Sequence, residues 1–436
     1  MKIRLVVGLA VCGLMGAWLL PAHAAENSMS GETISGNRLL GADLAGLLEY
    51  AREHNPELAA SRFDADAAAQ RAQSVASLPD PVLRTELMDI TNQGTNKGTS
   101  ILPSQVGSTR YTILQSVPWY GKRDLKRDAA EAGADQAQGQ TAATWADLSA
   151  QIKSAYAQYH LVTGSQKITR DLLDLVVQME KVAQVRYANG LAAQQDAVRA
   201  QVEQTALKTG LVALNNSRRQ VEARLNALLS RPANTPLAVP QSLRSIPATA
   251  SLENQAVLEK RIREHNPSLF VDEAGIRASE KNRDLAYRNR YPDFVLGVFP
   301  TQYGNAVREW GVMVELNIPL QQGARRSQER ESDAMLAAAR ARKEATANRV
   351  LSALTENLAG IEAAQSTELL SSSGLLPQAK ATFESALVGY QNGKVDFATL
   401  LDAARQILNA KLEVLKAQTD AQMRLAEVER LLGEEL

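Results

Sequence analysis

Only one cysteine, Cys12, occurs in 436 residues, and it lies inside an apolar N-terminal run. The rest of the chain therefore offers no disulfide, no thiol nucleophile and no thiolate metal site. An excess of one charge is missing too: 48 Lys and Arg stand against 48 Asp and Glu. That balance excludes a basic nucleic-acid binder held by phosphate contacts. Aromatic residues are only 5 % of the chain. The four histidines and eight methionines are scattered without ligand spacing. There is no phosphate-binding glycine loop and no nucleophile–base pair. No catalytic residue, cofactor or resident metal is expected. What is present is 45 % hydrophobic and 22 % charged, which excludes a disordered chain. Its richness in alanine and mixed charge points to long helices packed side by side.

The first 24 residues read as an export signal. Lys2 and Arg4 form a positive start, Leu5 to Leu20 an uncharged apolar run, and Ala22-His23-Ala24 a small-x-small cleavage site. The run is short for a spanning anchor, which needs roughly 20 apolar residues. Cys12 could be read as a lipidation cysteine, but Val11 stands where a small residue belongs. Removal of 1–24 leaves 46 basic and 48 acidic groups. No later run is apolar enough for a transmembrane helix.

The chain is written twice. Arg52-Glu53-His54-Asn55-Pro56 returns as Arg263-Glu264-His265-Asn266-Pro267. Leu78-Pro79-Asp80-Pro81 matches Tyr291-Pro292-Asp293-Phe294, and Val117-Pro118 before Gly121-Lys122-Arg123 matches Ile318-Pro319 before Gly323-Ala324-Arg325-Arg326. Tyr187-Ala188-Asn189-Gly190 matches Tyr390-Gln391-Asn392-Gly393. Units of about 200 residues are too long for a solenoid and indicate a duplicated half. The expected organisation is a signal peptide 1–24, a first repeat 25–230, a Pro-rich linker 231–250 and a second repeat 251–436. Each repeat opens with a short helix and a second one, Glu57 to Ser77 or Ser268 to Arg290, stopped by proline. Two strands follow, 82–90 and 108–117, then 293–300 and 309–318. Trp310, Val312, Val314, Leu316 and Ile318 alternate with other residues in clean period two. Thr91 to Gly107 reads as an exposed loop, with a short counterpart at Tyr303 to Arg308. Helical hairpins come last, 121–230 and 323–432. Their helices are expected at Gly121 to Ala188, Gln194 to Ser230, Gly323 to Gln391 and Phe397 to Leu432. A helix of nearly 70 residues is roughly 100 Å long, so it belongs to a coiled-coil assembly.

Strands of this length suit a membrane barrel. A barrel in lipid must close, and single barrels begin near eight strands. Four strands per chain therefore require several chains.

These residues, taken together, resemble the outer membrane factors of Gram-negative export systems, the TolC family. The stretch from Gln115 to Arg123 looks like that of the heavy-metal, CzcC-like branch. The resemblance implies a mixed α/β, mostly α membrane protein. Three chains build a twelve-stranded outer-membrane β-barrel, continued by a long periplasmic α-helical barrel. It implies a passive exit duct for substrate, heavy-metal cations in that branch. The implied partners are two further copies, a periplasmic adaptor, a proton-driven inner-membrane pump and outer-membrane lipid. Adaptor docking would fall on the turns at Tyr187, Asn189, Gly190 and Leu191 and at Tyr390, Asn392 and Gly393, where Asn-Gly also simply ends a helix. The family's gate maps to a bond between Asp196 and Tyr390, with Asp402 facing the entrance. Its second entrance aspartate is Thr399 here, and its gate arginine is Val395. Asp196 also fits as a first-turn acid stabilised by the helix dipole. His54 and His265 read as helix-end packing before proline rather than as metal ligands. Rival readings are a periplasmic coiled-coil adaptor or scaffold without a barrel, and a channel for drug or protein export.

Overall fold

The computed structural model describes residues 40–91, 98–246 and 254–436. The export signal and Cys12 lie outside them, as does the middle of the loop at 91–107. Each half runs through the same succession. The first has α1 (Leu44–His54), α2 (Pro56–Val75), β1 (Val82–Met88), β2 (Ser108–Val117), α3 (Lys122–Ala188) and α4 (Gln194–Leu228). The second has α5 (Gln255–His265), α6 (Pro267–Arg288), β3 (Phe294–Tyr303), β4 (Ala306–Leu316), α7 (Gln322–Leu370), α8 (Leu376–Gln391) and α9 (Phe397–Leu432). None of the described helices is long and apolar enough to cross a membrane.

Each His-Asn-Pro site is a joint, and its working residue is the asparagine. Asn55 Oδ1 accepts from the backbone N–H groups of Glu57 and Leu58 and so caps α2. Its Nδ2 donates to the Leu228 carbonyl at the end of α4, 2.9 Å away. Asn266 caps α6 through Leu269 N–H and donates to Leu431 O of α9 at 2.7 Å. One amide thus satisfies a helix start and a helix end that would otherwise leave buried polar groups unpaired. Proline follows because the first helical position needs no N–H. His54 stacks flat on Tyr50 with ring centroids 4.2 Å apart.

Several bounds differ from the sequence expectation. β1 stops at Met88 because Asp89 takes a positive φ of 52°, which ends a strand. β3 and β4 reach further, to Tyr303 and from Ala306, because Gly304 at φ 60° makes a two-residue turn between them. The helix expected from Gly323 to Gln391 is broken by a π turn at Ser371–Leu375. Pro377 lies just beyond and lacks the N–H that would continue the regular ladder. The segment 231–246 is not a free linker. Leu237 is buried, and Ala238 N–H bonds Leu40 O. Arg244 grips Glu429 with both terminal guanidinium nitrogens, at 2.8 and 2.9 Å. Lys153 Nζ donates to the same buried carboxylate at 2.8 Å. Burial alone would raise the Glu429 pKa, but these partners win and hold it below the usual range.

The sheet order is β1-β2-β3-β4, all antiparallel. The β2–β3 pairing lapses opposite Pro300, which has no N–H to give. The helices follow the same lateral order. α3 lies between α2 and α6 near the sheet and between α4 and α9 further away, with α7 beyond. Three apolar clusters run along these helices, the last around Val176, Ala200, Phe397 and Leu400 near the hairpin turns.

Replacing Asn266 with Ala should lower stability by about 1–3 kcal/mol, measured as a drop in the thermal midpoint. Replacing exposed His265 with Ala should change it by less than about 0.5 kcal/mol.

Candidate functional site

Two places carry distinctive chemistry: the faces of the sheet and the turns at the far end of the hairpins.

Residues paired across strands share a face. One face holds Leu83, Ile113, Val298 and Val312 in one row and Gln115, Leu296 and Val314 in the next. Val117, Phe294 and Leu316 form a third row, and Pro300 pairs with Trp310. No residue of these rows is charged, yet several are exposed: Trp310 and Val312 at 75 % and Leu83 at 67 %. The other face is mixed and carries the charged side chains. Glu86, Arg110, Thr301 and Glu309 form one row across it, with Arg84 and Glu315 on other rows. Arg110 lies 3.6 Å from Glu86 and 4.8 Å from the Phe299 ring centroid. Phe299 in turn covers the space beside Gly311, where a Cβ would sit 2.2 Å from the ring. Both outer strands, β1 and β4, have one unpaired edge.

At the other end, α3 and α8 stop in the same way. Gly190 and Gly393 adopt φ of 71° and 72°. Leu191 N–H reaches back to Arg186 O and Lys394 N–H to Gly389 O, each at 2.8 Å, while the glycine N–H bonds three residues back. This is the Schellman stop. Glycine alone supplies the left-handed residue. Asn189 and Asn392 precede it at φ −91° and use their side-chain amides on Val185 O and Val388 O.

Tyr390 and Asp196, 194 positions apart, are brought together: the phenol donates to Asp196 Oδ2 at 3.1 Å. The Tyr390 side chain is buried and meets Phe397 edge-on at 5.4 Å. Burial first, then the bond to Asp196, pushes its pKa up to about 12. The phenol therefore remains a donor at neutral pH. Because the folded pKa is raised, the bond's contribution is complete below the ordinary tyrosine value of about 10 and is lost as pH rises through the folded value.

Arg186 is the residue that spacing did not single out. It donates to Leu191 O in its own turn at 3.2 Å and to Gln391 O in the other turn. Its guanidinium also lies 5.1 Å from the Tyr390 ring centroid. Its position in the last turn of α3, against free carbonyls, was the available signal. Asp402 is not part of this cluster. It is exposed on α9 beside Arg405 at 3.4 Å. Arg405 forms a two-pronged pair with buried Glu203 of α4. Val395 packs against Gly389, whose missing Cβ would stand 2.6 Å from the valine. Thr399 is held by Asp396, the cap of α9. Tyr187 and Leu191 point outward, 49 % and 65 % exposed. Among the described residues no His, Cys, Asp and Glu cluster could hold a metal ion.

The sequence profile described as outer membrane efflux protein matches residues 47–231 and 258–434. The cobalt-zinc-cadmium resistance protein CzcC of Cupriavidus metallidurans is 24 % identical over 400 residues, covering 89 % of this chain and 90 % of its own. The solved outer-membrane channel OprN superposes with TM-score 0.76 at 20 % identity, covering 89 % of each chain. CusC, solved in a study of transmembrane channel formation, gives 0.76 at 15 % identity, with 90 % and 92 % covered. The outer membrane protein VceC of Vibrio cholerae gives 0.75 at 17 %, with 90 % and 96 % covered.

Proposed function

The chain belongs to the outer membrane efflux protein family, and from that premise we propose that it is the passive exit duct of a tripartite efflux system. The observation that carries this reading is the sheet. Its charge-free face is exposed and its two edge strands are unpaired. In water such edges invite aggregation; in lipid they must be paired. Joining β4 of one copy to β1 of the next does both. Three copies give twelve strands, with the mixed, charge-bearing face lining the pore. The helical edges α2/α4 and α7/α8 lie on the same sides as β1 and β4, so the same junction extends the wall as a helical tube into the periplasm. The matching element order of the halves supports a duplicated origin. The repeats then meet at the segment around 231–250.

The duct performs no chemistry. Its partners in this reading are a periplasmic adaptor docking on the exposed Tyr187 and Leu191 and the turns at Asn189-Gly190 and Asn392-Gly393, and a proton-driven inner-membrane pump. Likeness to CzcC supports heavy-metal cations as cargo. At the tip, Tyr390–Asp196 and Arg186 bind the two turns into one closed unit. Asp402, repeated around the axis, would favour cations at the entrance.

Detergent-solubilised protein should have the mass of three chains. A water-soluble monomer after signal removal would overturn the barrel. A bond of the Tyr390–Asp196 type contributes about 1.5–3 kcal/mol, and three copies bias an iris by several kcal/mol. Tyr390→Phe with Asp196→Ala should therefore raise single-channel conductance in planar bilayers. An unchanged conductance would move closure to other residues.

A further inference from the structure

We propose that the helical end of the sheet carries a binding band for the phosphate headgroups of anionic phospholipids in the periplasm-facing leaflet. This rests on the membrane placement above and adds a partner to it. The margin of the charge-free face is marked by aromatic rings. Trp119 stacks on Tyr291 at 5.2 Å and on Phe294 at 5.5 Å, and Phe294 lies on that face. Tyr120 follows Trp119 in the chain, and Leu320 lies just past β4; they are 85 % and 81 % exposed. Amphipathic rings settle where hydrocarbon meets headgroup.

The charge begins immediately beyond. The connections at this end together with the adjoining helix turns, residues 78–81, 118–127, 288–293 and 317–326, hold eight lysines and arginines against three aspartates, with Asp128 and Glu329 next along α3 and α7. Part of that excess has structural work. Lys122 bonds Asp293 and Tyr291 O, Arg290 pairs with Glu329, and Arg123 closes the end of α2 through Ala76 O. Lys126, Arg288 and Arg326 have no carboxylate within ion-pair distance among the described residues. The Arg288 guanidinium is held at the aromatic margin, 5.8 Å from the Tyr291 centroid. It also faces the start of α3, where a Cβ on Gly121 would lie 3.4 Å from Nη2. That places one cation against the positive end of a helix dipole, an arrangement that an anion would relieve. At the opposite end of the strands the described connections hold one charged residue, Asp89. Long basic stems can lie along the apolar margin while their heads reach the phosphate layer. The partner is a lipid surface because the band is continuous with the face that meets lipid. Bound headgroups would fix the depth of the barrel.

The test uses the full protein in nanodiscs of phosphatidylethanolamine with and without phosphatidylglycerol, and native mass spectrometry of the lipids retained. The wild type should retain phosphatidylglycerol in preference. The Lys126→Gln, Arg288→Gln, Arg326→Gln variant should lose that preference by roughly fivefold per cation, with oligomer mass and conductance unchanged. The double variant Lys126→Gln, Arg326→Gln, altering exposed side chains only, should show a partial loss. Equal retention of both lipids by the wild type, or undiminished preference in the variants, overturns the proposal. Failure of the channel reading is distinct, because the wild type itself would then conduct nothing.

Discussion

The rest of the structure depends on one constraint: a strand edge cannot remain unpaired in hydrocarbon. In the proposed membrane placement the four antiparallel strands leave two such edges, on β1 and β4. In the proposed reading copies of the chain supply the missing bonds, since the chain has no further strand among its described residues. The connectivity makes this efficient. β2 runs into α3 and β4 into α7, so the lateral order of the strands sets the lateral order of the helices. A junction that closes the sheet closes the helical wall with it.

Length brings a second demand, since four helices side by side bury little per residue. Small residues let them approach closely: Ala155, Ala183, Ala200, Ala404 and Ala410 are fully buried. Three separate clusters hold them along their length. Polar and directional links accompany the clusters, such as Lys153–Glu429–Arg244 and Arg405–Glu203. Breaking the buried Lys153–Glu429 pair costs about 3–5 kcal/mol, so it fixes register as well as contact. The turns are the exception to regular packing. There Arg186 and Tyr390 join the two hairpins through a few bonds, and a few bonds can be exchanged for contacts to a partner.

Much of this was legible in the residues. Period two from Trp310 to Leu316 is plain because only one face of β4 is apolar. The two Tyr-x-Asn-Gly sites are plain because a Schellman stop needs glycine at one position. Other features left no local trace. Pairing of Tyr390 with Asp196 spans the whole repeat and came from family resemblance, not spacing. Arg186 looks like any basic residue at a helix end until the second turn is placed against it. In His-Asn-Pro the histidine draws attention, but the asparagine does the joining, since its amide alone both accepts and donates. The π turn at Ser371–Leu375 interrupts the helix expected from Gly323 to Gln391, and its mark in the sequence is Pro377 just beyond.

The central claim is that the charge-free face meets lipid while its reverse lines a pore. It is tested most directly by nitroxide labels on single-cysteine variants at positions 311 to 316, in reconstituted protein. The account predicts alternation. Labels at Val312, Val314 and Leu316 should collide with oxygen dissolved in lipid, and those at Gly311, Met313 and Glu315 with a water-soluble nickel chelate. Uniform access to the chelate along the strand would contradict it.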